Sequence, residues 1–499
     1  MKVLCLIQKL AIPMLFLLFF LPASSRAQYI SLKSIPVASG DQFMIYPSQN
    51  LGMGGVSIAL NDPLLDPFVN PAKGVRVTGV RLLGSPTFYN ISDNNGVART
   101  LPLGALFGAE KWFGGFSVAV QQLGAPELPN VIWFRTVDFM PGRDFSQTSL
   151  SDKNANNFYL SGLLGTKLGD SDISVAAGVS WFDLEAVDGV ELLYANSLNI
   201  EQFGHMVDYR IGLFGELSGD RSFEVLLLHN RFNMTHDVTY PYWFFDEETN
   251  TTTNGLEVER NLERTNTWGL HLGYVQPLSR DEWRIGAIFT TNRKSHPKIP
   301  NYELMNIPRD PGDSWAFNIG TGISRTNGPA TFGMDLIFEP IWSTTWAEAR
   351  ERIKTPDGRI IRAGDKTVNN DFKFTNWLLR FGIGRQESVF GFQLGLQVRW
   401  FRYRLVQDNK VEASQRTQKE SWAEWTPSVG LSLNFPEFQI RYTGRLTSGT
   451  GRPGVARNSV QIEDGLRAGD LIAAPSGELT LQDAQVFTHQ LSVSIPLRH

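Results

Sequence analysis

The chain has 499 residues, a formal net charge of -4, 42% hydrophobic residues and 19% charged residues. A nearly neutral chain of this length gives no electrostatic basis for nucleic-acid binding, and no apolar run beyond the N-terminus approaches the ~20 residues of a membrane-spanning helix. The 46 glycines and the 12% aromatic content favour either a secreted β protein or a transmembrane β-barrel.

The N-terminus has the three parts of a secretory signal peptide. Two lysines lie within the first ten residues, an almost wholly apolar run covers residues 10–21, and small residues precede a cleavage point after Ala27. We therefore predict a signal peptide at residues 1–27. The single cysteine, Cys5, lies within it, so we expect a mature chain without disulfides or cysteine metal sites.

Residues 28–73 are irregular in sequence. Five prolines between Pro36 and Pro71 and the glycine cluster at 52–55 argue against a long helix or a central strand. Residues 56–60 are the one stretch suited to a short regular element. We predict that residues 28–73 form a separate N-terminal domain.

From residue 74 to the end, the chain repeats runs in which alternate residues are apolar. A period of two places successive side chains on opposite faces of a sheet. The polar face is mostly Gly, Ser, Ala, Asn and Gln, which suits a barrel lumen better than an open solvent surface. The first two runs and the fourth alternate poorly, so the pattern allows fourteen or sixteen strands. The predicted strands are 75–90, 99–109, 113–124, 155–169, 172–185, 204–218, 222–238, 263–278, 281–293, 313–325, 330–346, 371–385, 388–406, 423–435, 437–448 and 485–497.

Short turns and long polar connections alternate between these runs, as in outer-membrane barrels with tight periplasmic turns and long extracellular loops. The long connections are 125–154, 185–203, 240–262, 294–312, 347–370, 407–421 and 449–484. We therefore predict an all-β fold, an antiparallel transmembrane β-barrel of 14–16 strands at residues 74–499, with residues 28–73 as a plug inside the lumen. The expected location is the outer membrane of a Gram-negative-type bacterium, with outer-membrane lipid and the barrel-assembly machinery as partners.

Residues 50–62, Asn-Leu-Gly-Met-Gly-Gly-Val-Ser-Ile-Ala-Leu-Asn-Asp, and the later Val-Asn-Pro-Ala at 69–72 resemble a family signature. They are similar to the N-terminal signature of the FadL-type outer-membrane transport superfamily, which includes PorV-like proteins. The resemblance implies an N-terminal hatch inside a barrel usually of fourteen strands, so a count of sixteen would depart from it.

The signature supplies the first group of candidate site residues. Its glycines permit positive φ angles and close approach to a barrel wall, and the Asn-Pro pair is suited to redirect the chain into the first strand. We expect these residues to shape and seat the plug. The predicted plug motif is Gly52, Met53, Gly54, Gly55, Asn70, Pro71 and Ala72.

Charged residues on the small polar face form the second group. An arginine facing lipid near the membrane midplane costs about 2–4 kcal/mol, so we assign these charges to the lumen. They either line a solute path or, as we prefer, pair across the lumen and hold the plug. The group is Asp208, Arg210, Arg284, Asp335, Glu339, Arg380, Arg399, Arg441 and Arg445.

The sequence carries no nucleophile elbow, Walker loop or His-Glu-x-x-His motif. We predict no catalytic residue, no metal site and no cofactor, and therefore not an enzyme. From the resemblance, we expect a channel for passive uptake of hydrophobic small molecules, either long-chain fatty acids or aromatic hydrocarbons. The alternative is a PorV-like, non-transporting scaffold or shuttle for protein secretion, which would bind protein partners through its extracellular loops.

Overall fold

The structure is a computed structural model, and the predicted signal peptide and the greater part of the connections at 125–154 and 449–484 lie outside the residues it describes. No helix in the described part of the chain is long and apolar enough to cross a membrane. The described residues are 30, 32–34, 36–92, 96–124, 149–150, 154–169, 171–188, 190, 199–246, 251–278, 282–297, 299, 307, 311–453 and 481–497.

Strands make up nearly all of the regular structure. In chain order they are β1 (Gly79–Gly84), β2 (Thr87–Ile91), β3 (Val97–Gly108), β4 (Trp112–Gly124), β5 (Ser149–Leu150), β6 (Asn154–Lys167), β7 (Ile173–Leu184), β8 (Asn199–Leu217), β9 (Arg221–Asp246), β10 (Thr251–Pro277), β11 (Trp283–Ser295), β12 (Gly312–Asn327), β13 (Ala330–Glu348), β14 (Ile353–Lys354), β15 (Ile360–Ile361), β16 (Lys366–Gln386), β17 (Phe390–Asn409), β18 (Ser414–Asn434), β19 (Gln439–Pro453) and β20 (Leu481–Leu497).

These strands close into one antiparallel barrel. β1 and β2 form a single wall strand interrupted at residues 85–86, and both pair with β3 on one side and β20 on the other. The short β5 pairs with β8 within a connection, and β14 and β15 form a separate two-stranded sheet. The wall therefore has sixteen strands, which confirms the predicted all-β antiparallel barrel and decides between fourteen and sixteen strands.

The outer face of the wall is apolar. On β4, Trp112, Phe116 and Val120 are each about half exposed, whereas Phe113 and Ala119 between them are buried. Neighbouring strands repeat this pattern, so exposed bulky side chains form a continuous belt around the barrel. A monomer in water rarely exposes such a surface. Together with a closed ladder that satisfies the backbone polar groups, the belt is the form of a transmembrane barrel.

Two of the predicted long connections are wrong. The connection predicted at 240–262 is mostly hairpin, because β9 continues to Asp246 and β10 begins at Thr251. Likewise, β17 and β18 leave only residues 410–413 of the connection predicted at 407–421. In β18 both faces of the extension are polar, as in Ser-Gln-Arg-Thr-Gln-Lys-Glu at 414–420, so the alternation is lost while the hydrogen-bonded ladder continues. In β9 the consecutive aromatic residues at 242–245 remove the alternation instead.

We call the two ends of the barrel the turn end and the loop end. Connections at 109–111, 218–220 and 328–329 lie at the turn end. The longer connections and the extended β9–β10 hairpin lie at the loop end. A full hairpin ladder joins β9 and β10 from Asp246 and Thr251 down to Arg231 and Asn266.

The N-terminal segment, residues 30–76, precedes the wall and contacts its buried face. Its regular pieces are 3-10 helices at Leu51–Met53 and Pro71–Arg76 and a short α-helix, α1 (Asp66–Val69). The predicted first strand, 75–90, is wrong at its start, because Pro71–Arg76 forms a 3-10 turn and β1 begins at Gly79. The predicted domain boundary after residue 73 falls within this turn.

The segment runs along the barrel between its two ends. Near the loop end, the Ala38 N–H donates to the carbonyl of Gly451 at 2.6 Å, and the Gly451 N–H donates to the carbonyl of Pro36 at 2.6 Å. Near the turn end, residues 71–76 pack against β6, β7 and β8. The segment therefore meets strands that are far apart around the wall.

Candidate functional site

A buried carboxylate shapes the glycine-rich part of the segment. Asp62 accepts a hydrogen bond from Ser48 Oγ at 2.6 Å and from the backbone N–H of Gln49 at 2.8 Å. It also accepts from the N–H of Asn50 at 3.2 Å and from the N–H groups of residues 64–65. One side chain thereby joins the two sides of the loop that presents the plug motif to the wall.

Gly54 and Gly55 both have the left-handed backbone that the sequence analysis expected of this turn, with φ of 70° and 74°. They differ in their surroundings. A Cβ on Gly54 would lie 2.8 Å from the carbonyl oxygen of Leu396 and 2.9 Å from that of Phe381, whereas a Cβ on Gly55 would meet nothing within 4 Å. Gly54 is thus held against the wall backbone, and Gly55 faces open space.

Hydrogen bonds fix the glycine turn to β18. The Gly54 N–H donates to Ser428 Oγ at 3.1 Å, and that hydroxyl donates to the carbonyl of Gly52 at 3.1 Å. A Cβ on Gly52 would lie 2.7 Å from Cα of Gly430. The turn and the wall are therefore in backbone contact at Gly52 and Gly430, and the adjacent Met53 is buried.

A second attachment lies at β13 and β16. The buried Asp335 carboxylate accepts the backbone N–H of Ser57 at 2.8 Å and that of Ile58 at 3.3 Å. Arg380 Nη1 lies 4.0 Å from the same carboxylate and donates to Ser57 Oγ at 3.2 Å. Two of the predicted charges therefore contact the segment and each other.

A third attachment lies on β8. Arg210 donates through Nη1 to the carbonyls of Phe68 and Val69, at 2.7 and 2.8 Å. Its Nε is 3.0 Å from Asp208 Oδ1. These carbonyls end α1, so the guanidinium caps the helix C-terminus.

The most connected attachment is centred on Glu224 of β9, which the sequence analysis did not select. Lys73 Nζ lies 2.9 Å from its Oε1, and Asn70 Nδ2 donates to its Oε2 at 3.0 Å. His271 Nε2 is 3.7 Å from the same carboxylate. A Cβ on Gly212 would lie 2.0 Å from Asn70 Oδ1, so a wall glycine makes room for this side chain.

Pro71 and Ala72 complete the predicted motif. Pro71 occupies the first turn of the 3-10 helix, where a missing N–H costs nothing, and Asn70 Oδ1 accepts the Ala72 N–H at 3.2 Å. The Ala72 carbonyl accepts from Ser174 Oγ of β7 at 3.0 Å. These contacts direct the chain from the segment towards β1.

The remaining predicted charges divide into three kinds. Arg445 contacts the segment, with Nη1 3.1 Å from Asp41 Oδ2. Arg399 and Glu339 pair within the wall at 3.3 Å. Arg284 and Arg441 lie on the buried face and form no ion pair with any residue that the structure describes. A further pair that the sequence analysis did not select joins Lys33 of the segment to Glu424.

At the loop end the segment packs against an apolar and aromatic cluster. Leu32 and Val37 are buried there against the wall. The rings of Phe374 and Tyr403 lie 5.4 Å apart, and Phe372 stacks 5.7 Å from Phe374. The cluster also contains Ile30, Val187, Val190, Ile200, Val238, Tyr240, Ile299, Ile307, Ala316, Ile341, Leu405 and Trp422.

Contacts between the segment and the wall thus differ between the two ends. At the turn end, ion pairs and hydrogen bonds to buried charged groups accompany the apolar packing of Ile58, Phe68 and Ala72. At the loop end, the apolar packing of Leu32 and Val37 accompanies the hydrogen bonds with Gly451 and the Lys33–Glu424 pair. Among the described residues no cluster of His, Cys, Asp and Glu has the arrangement of a metal site.

Asp66 is a titratable group within the segment. Its Oδ1 lies 3.8 Å from Lys73 Nζ. Burial raises the pKa of Asp66 to about 6, and the nearby Lys73 ammonium opposes this shift.

No family model matches the chain, and no curated protein matches it. Solved structures with a similar fold include a Pseudomonas aeruginosa FadL homologue, at 10% identity over 93% of this chain and 100% of that chain, with a TM-score of 0.45. They also include the CymD monoaromatic hydrocarbon channel, at 11% identity over 92% of this chain and 99% of that chain, with a TM-score of 0.41.

The Pseudomonas putida toluene transporter TodX is similar at 11% identity over 90% of this chain and 97% of that chain, with a TM-score of 0.35. At such identities and TM-scores, we draw no conclusion about function from the similarity.

Proposed function

We propose that the barrel is a channel for passive uptake of hydrophobic small molecules, and that the N-terminal segment is its displaceable plug. The expected substrates are long-chain fatty acids or aromatic hydrocarbons. The observation that carries this proposal is the apolar cluster at the loop end, where segment residues Leu32 and Val37 cover inward-facing aromatic rings. An apolar solute that replaces these two side chains would bury similar surface, so exchange would cost little free energy.

The unequal attachments support an order of events. Residues 30–38 are held by apolar packing of Leu32 and Val37, by backbone hydrogen bonds with Gly451 and by the Lys33–Glu424 pair. Buried charged groups of the wall, Asp335, Arg210 and Glu224, hold the segment nearer the turn end. We infer that a solute displaces residues 30–41 first. Residues 50–76, including the plug motif, then serve as the seated part of the plug, and local opening there sets the leak rate.

A reversible cross-link tests whether the segment must move. Thr488 Oγ1 donates to Asp41 Oδ2 at 2.8 Å, so cysteines at these two positions would bring thiols close together. Because the expected mature chain contains no other cysteine, oxidation of the double variant Asp41→Cys/Thr488→Cys should join the segment to β20 specifically. We expect uptake of labelled oleate and toluene to fall on oxidation and to recover with reductant.

The matched controls are the two single-cysteine variants under the same oxidant. Asp41→Cys loses the contacts of Asp41 with Arg445 and Thr488, and Thr488→Cys loses only the second. Neither can form the cross-link, so their uptake should not respond to oxidation. Undiminished uptake through the oxidised double variant, with the cross-link verified by mass, would reject a moving plug. A deletion strain that grows normally on fatty acids and aromatic hydrocarbons would reject the substrate class.

The extended β9–β10 hairpin favours one alternative, a non-transporting scaffold for protein secretion. The part of β10 before Thr267 pairs with β9 but not with β11, because the β10–β11 ladder begins at Thr267. The hairpin therefore extends beyond β11. A projecting hairpin offers a surface for protein partners at the loop end. A deletion strain with normal solute uptake but lost secretion of surface proteins would favour this alternative.

A further inference from the structure

The interruption of the first wall strand leaves a depression on the outer face of the barrel. β1 ends at Gly84 and β2 begins at Thr87, and Pro86 between them has no N–H to donate to a ladder. Gly84 and Pro86 place little side-chain bulk on the outer face here. The depression has a volume of about 570 Å³.

The lining combines an apolar groove with polar groups. Leu101, Val120 and Leu491 are outward-facing members of the membrane belt, each at least 43% exposed. Arg99 and Gln122 lie in the same depression. They face each other in the β3–β4 ladder, and the next outward pair towards the turn end is Leu101 and Val120. The Arg99 side chain therefore lies next to the apolar groove, on the side towards the loop end.

Arg99 is a positive charge on this surface. It is exposed on the outer face, and no carboxylate of a described residue lies within ion-pair distance of its guanidinium. Nearby, Tyr442 Oη and His489 Nδ1 are hydrogen-bonded to each other at 2.7 Å. A cation on a lipid-facing wall is costly near the midplane and tolerated near the headgroups, where anionic lipids attract it.

We propose that this depression binds one anionic lipid molecule through a phosphate group. Its phosphate accepts hydrogen bonds from the Arg99 guanidinium and the Gln122 amide, and one acyl chain lies along Leu101, Val120 and Leu491. A guanidinium matches phosphate oxygens in a bidentate arrangement, and the groove supplies apolar surface for the chain. The inference rests on the membrane location of the barrel and is independent of any movement of the N-terminal segment.

Native mass spectrometry of the detergent-solubilised barrel tests the site. Phosphatidylglycerol and phosphatidylcholine with identical acyl chains are the probes. We expect one phosphatidylglycerol to bind more tightly than phosphatidylcholine, and Arg99→Gln to weaken its binding about fivefold, the loss expected for one surface cation. The matched control is Arg402→Gln, because Arg402 is also exposed on the outer face but lies on β17, away from the depression. Its binding should equal that of the unaltered barrel.

Two further measurements distinguish a specific lipid-binding site from non-specific electrostatic attraction. Leu101→Trp should fill the groove and reduce phosphatidylglycerol binding although Arg99 is intact, and heat-modifiable migration on gels verifies that each variant is folded. The deacylated headgroup, glycerophosphoglycerol, should not compete with the lipid. Equal binding by the Arg99→Gln and Arg402→Gln variants, equal affinity for the two lipids, or full competition by the deacylated headgroup would each overturn the proposal.

Discussion

Gly54 and Gly55 give a paired test of how the segment is seated. Both have positive φ, which costs an L-residue about 1–2 kcal/mol, but only Gly54 lies against wall carbonyl oxygens. Gly54→Ala should therefore strain the turn and also push it from the wall, whereas Gly55→Ala adds strain alone. We expect single-channel conductance in planar bilayers to rise more in Gly54→Ala than in Gly55→Ala.

The two variants control for each other, because their backbone strain is the same. Both barrels should retain heat-modifiable migration, since the wall ladder does not depend on this turn. Equal conductance in the two variants and the unaltered protein would show that contact at Gly54 does not limit leakage. The glycine cluster predicts positive φ for both residues, but the sequence could not distinguish them, because the difference lies in backbone atoms more than three hundred residues away.

At the scale of elements, the attachment of the Pro71–Arg76 turn to β9 depends on a buried ion pair. Removing one partner of such a pair leaves an uncompensated charge, at a cost of about 3–5 kcal/mol. Lys73→Met should therefore increase hydrogen exchange of residues 62–76 strongly. The double variant Lys73→Met/Glu224→Gln should restore part of the protection, because the unpaired Glu224 charge is then removed as well.

Arg76 supplies the matched control for this variant. It lies on the same 3-10 turn and pairs with Glu216 at 2.8 Å, but the Glu216 side chain is 54% exposed. An exposed pair contributes about 1 kcal/mol or less, so Arg76→Met should change exchange little. Similar exchange in Lys73→Met and Arg76→Met would contradict a special role for Glu224.

The same element should respond to pH through Asp66. Its pKa in the docked segment is raised to about 6 from an ordinary 3.8, so docking favours the protonated carboxyl. The stabilisation is fully present below the ordinary value and is lost as pH rises through about 6. Hydrogen exchange of residues 62–76, corrected for intrinsic rates, should be slower at pH 5 than at pH 7.5. Asp66→Asn should reduce this difference, and an unchanged difference would assign it to another group.

Elements differed in how well the sequence could predict them. Strands within the apolar belt were predicted closely, because lipid outside and polar lumen inside impose strict alternation. The β9–β10 and β17–β18 extensions are not predicted, because their sequences lose the alternation: residues 242–245 are consecutive aromatics and residues 414–420 are polar on both faces. The alternation of side chains along a strand predicts that charges such as Asp335 point inward. It does not predict their partners, because Ser57 and Asp335 are separated by 278 residues and only the closed barrel brings them together.

For the whole molecule, the wall and the N-terminal segment should be separable. Each wall strand has two hydrogen-bonded neighbours, and β1 and β2 close the ladder against β20, so the barrel has no edge that the segment must cover. The contacts of the segment with the wall are side-chain bonds, backbone contacts at wall glycines and apolar packing. Deleting residues 36–74 should therefore leave a folded barrel that conducts ions far better than the complete protein.

A hairpin deletion provides the control for a loss of chain elsewhere in the barrel. Removing residues 241–256 shortens β9 and β10 beyond the β8–β9 ladder, which ends at Thr239, and leaves the segment and the cluster residues Val238 and Tyr240 in place. Both deletions should preserve heat-modifiable migration, because each spares the wall within the membrane belt. Conductance should rise in the segment deletion and stay unchanged in the hairpin deletion. If the barrel lacking residues 36–74 fails to assemble, the segment is part of the folding core; if it assembles without conducting, the lumen is closed by the wall itself.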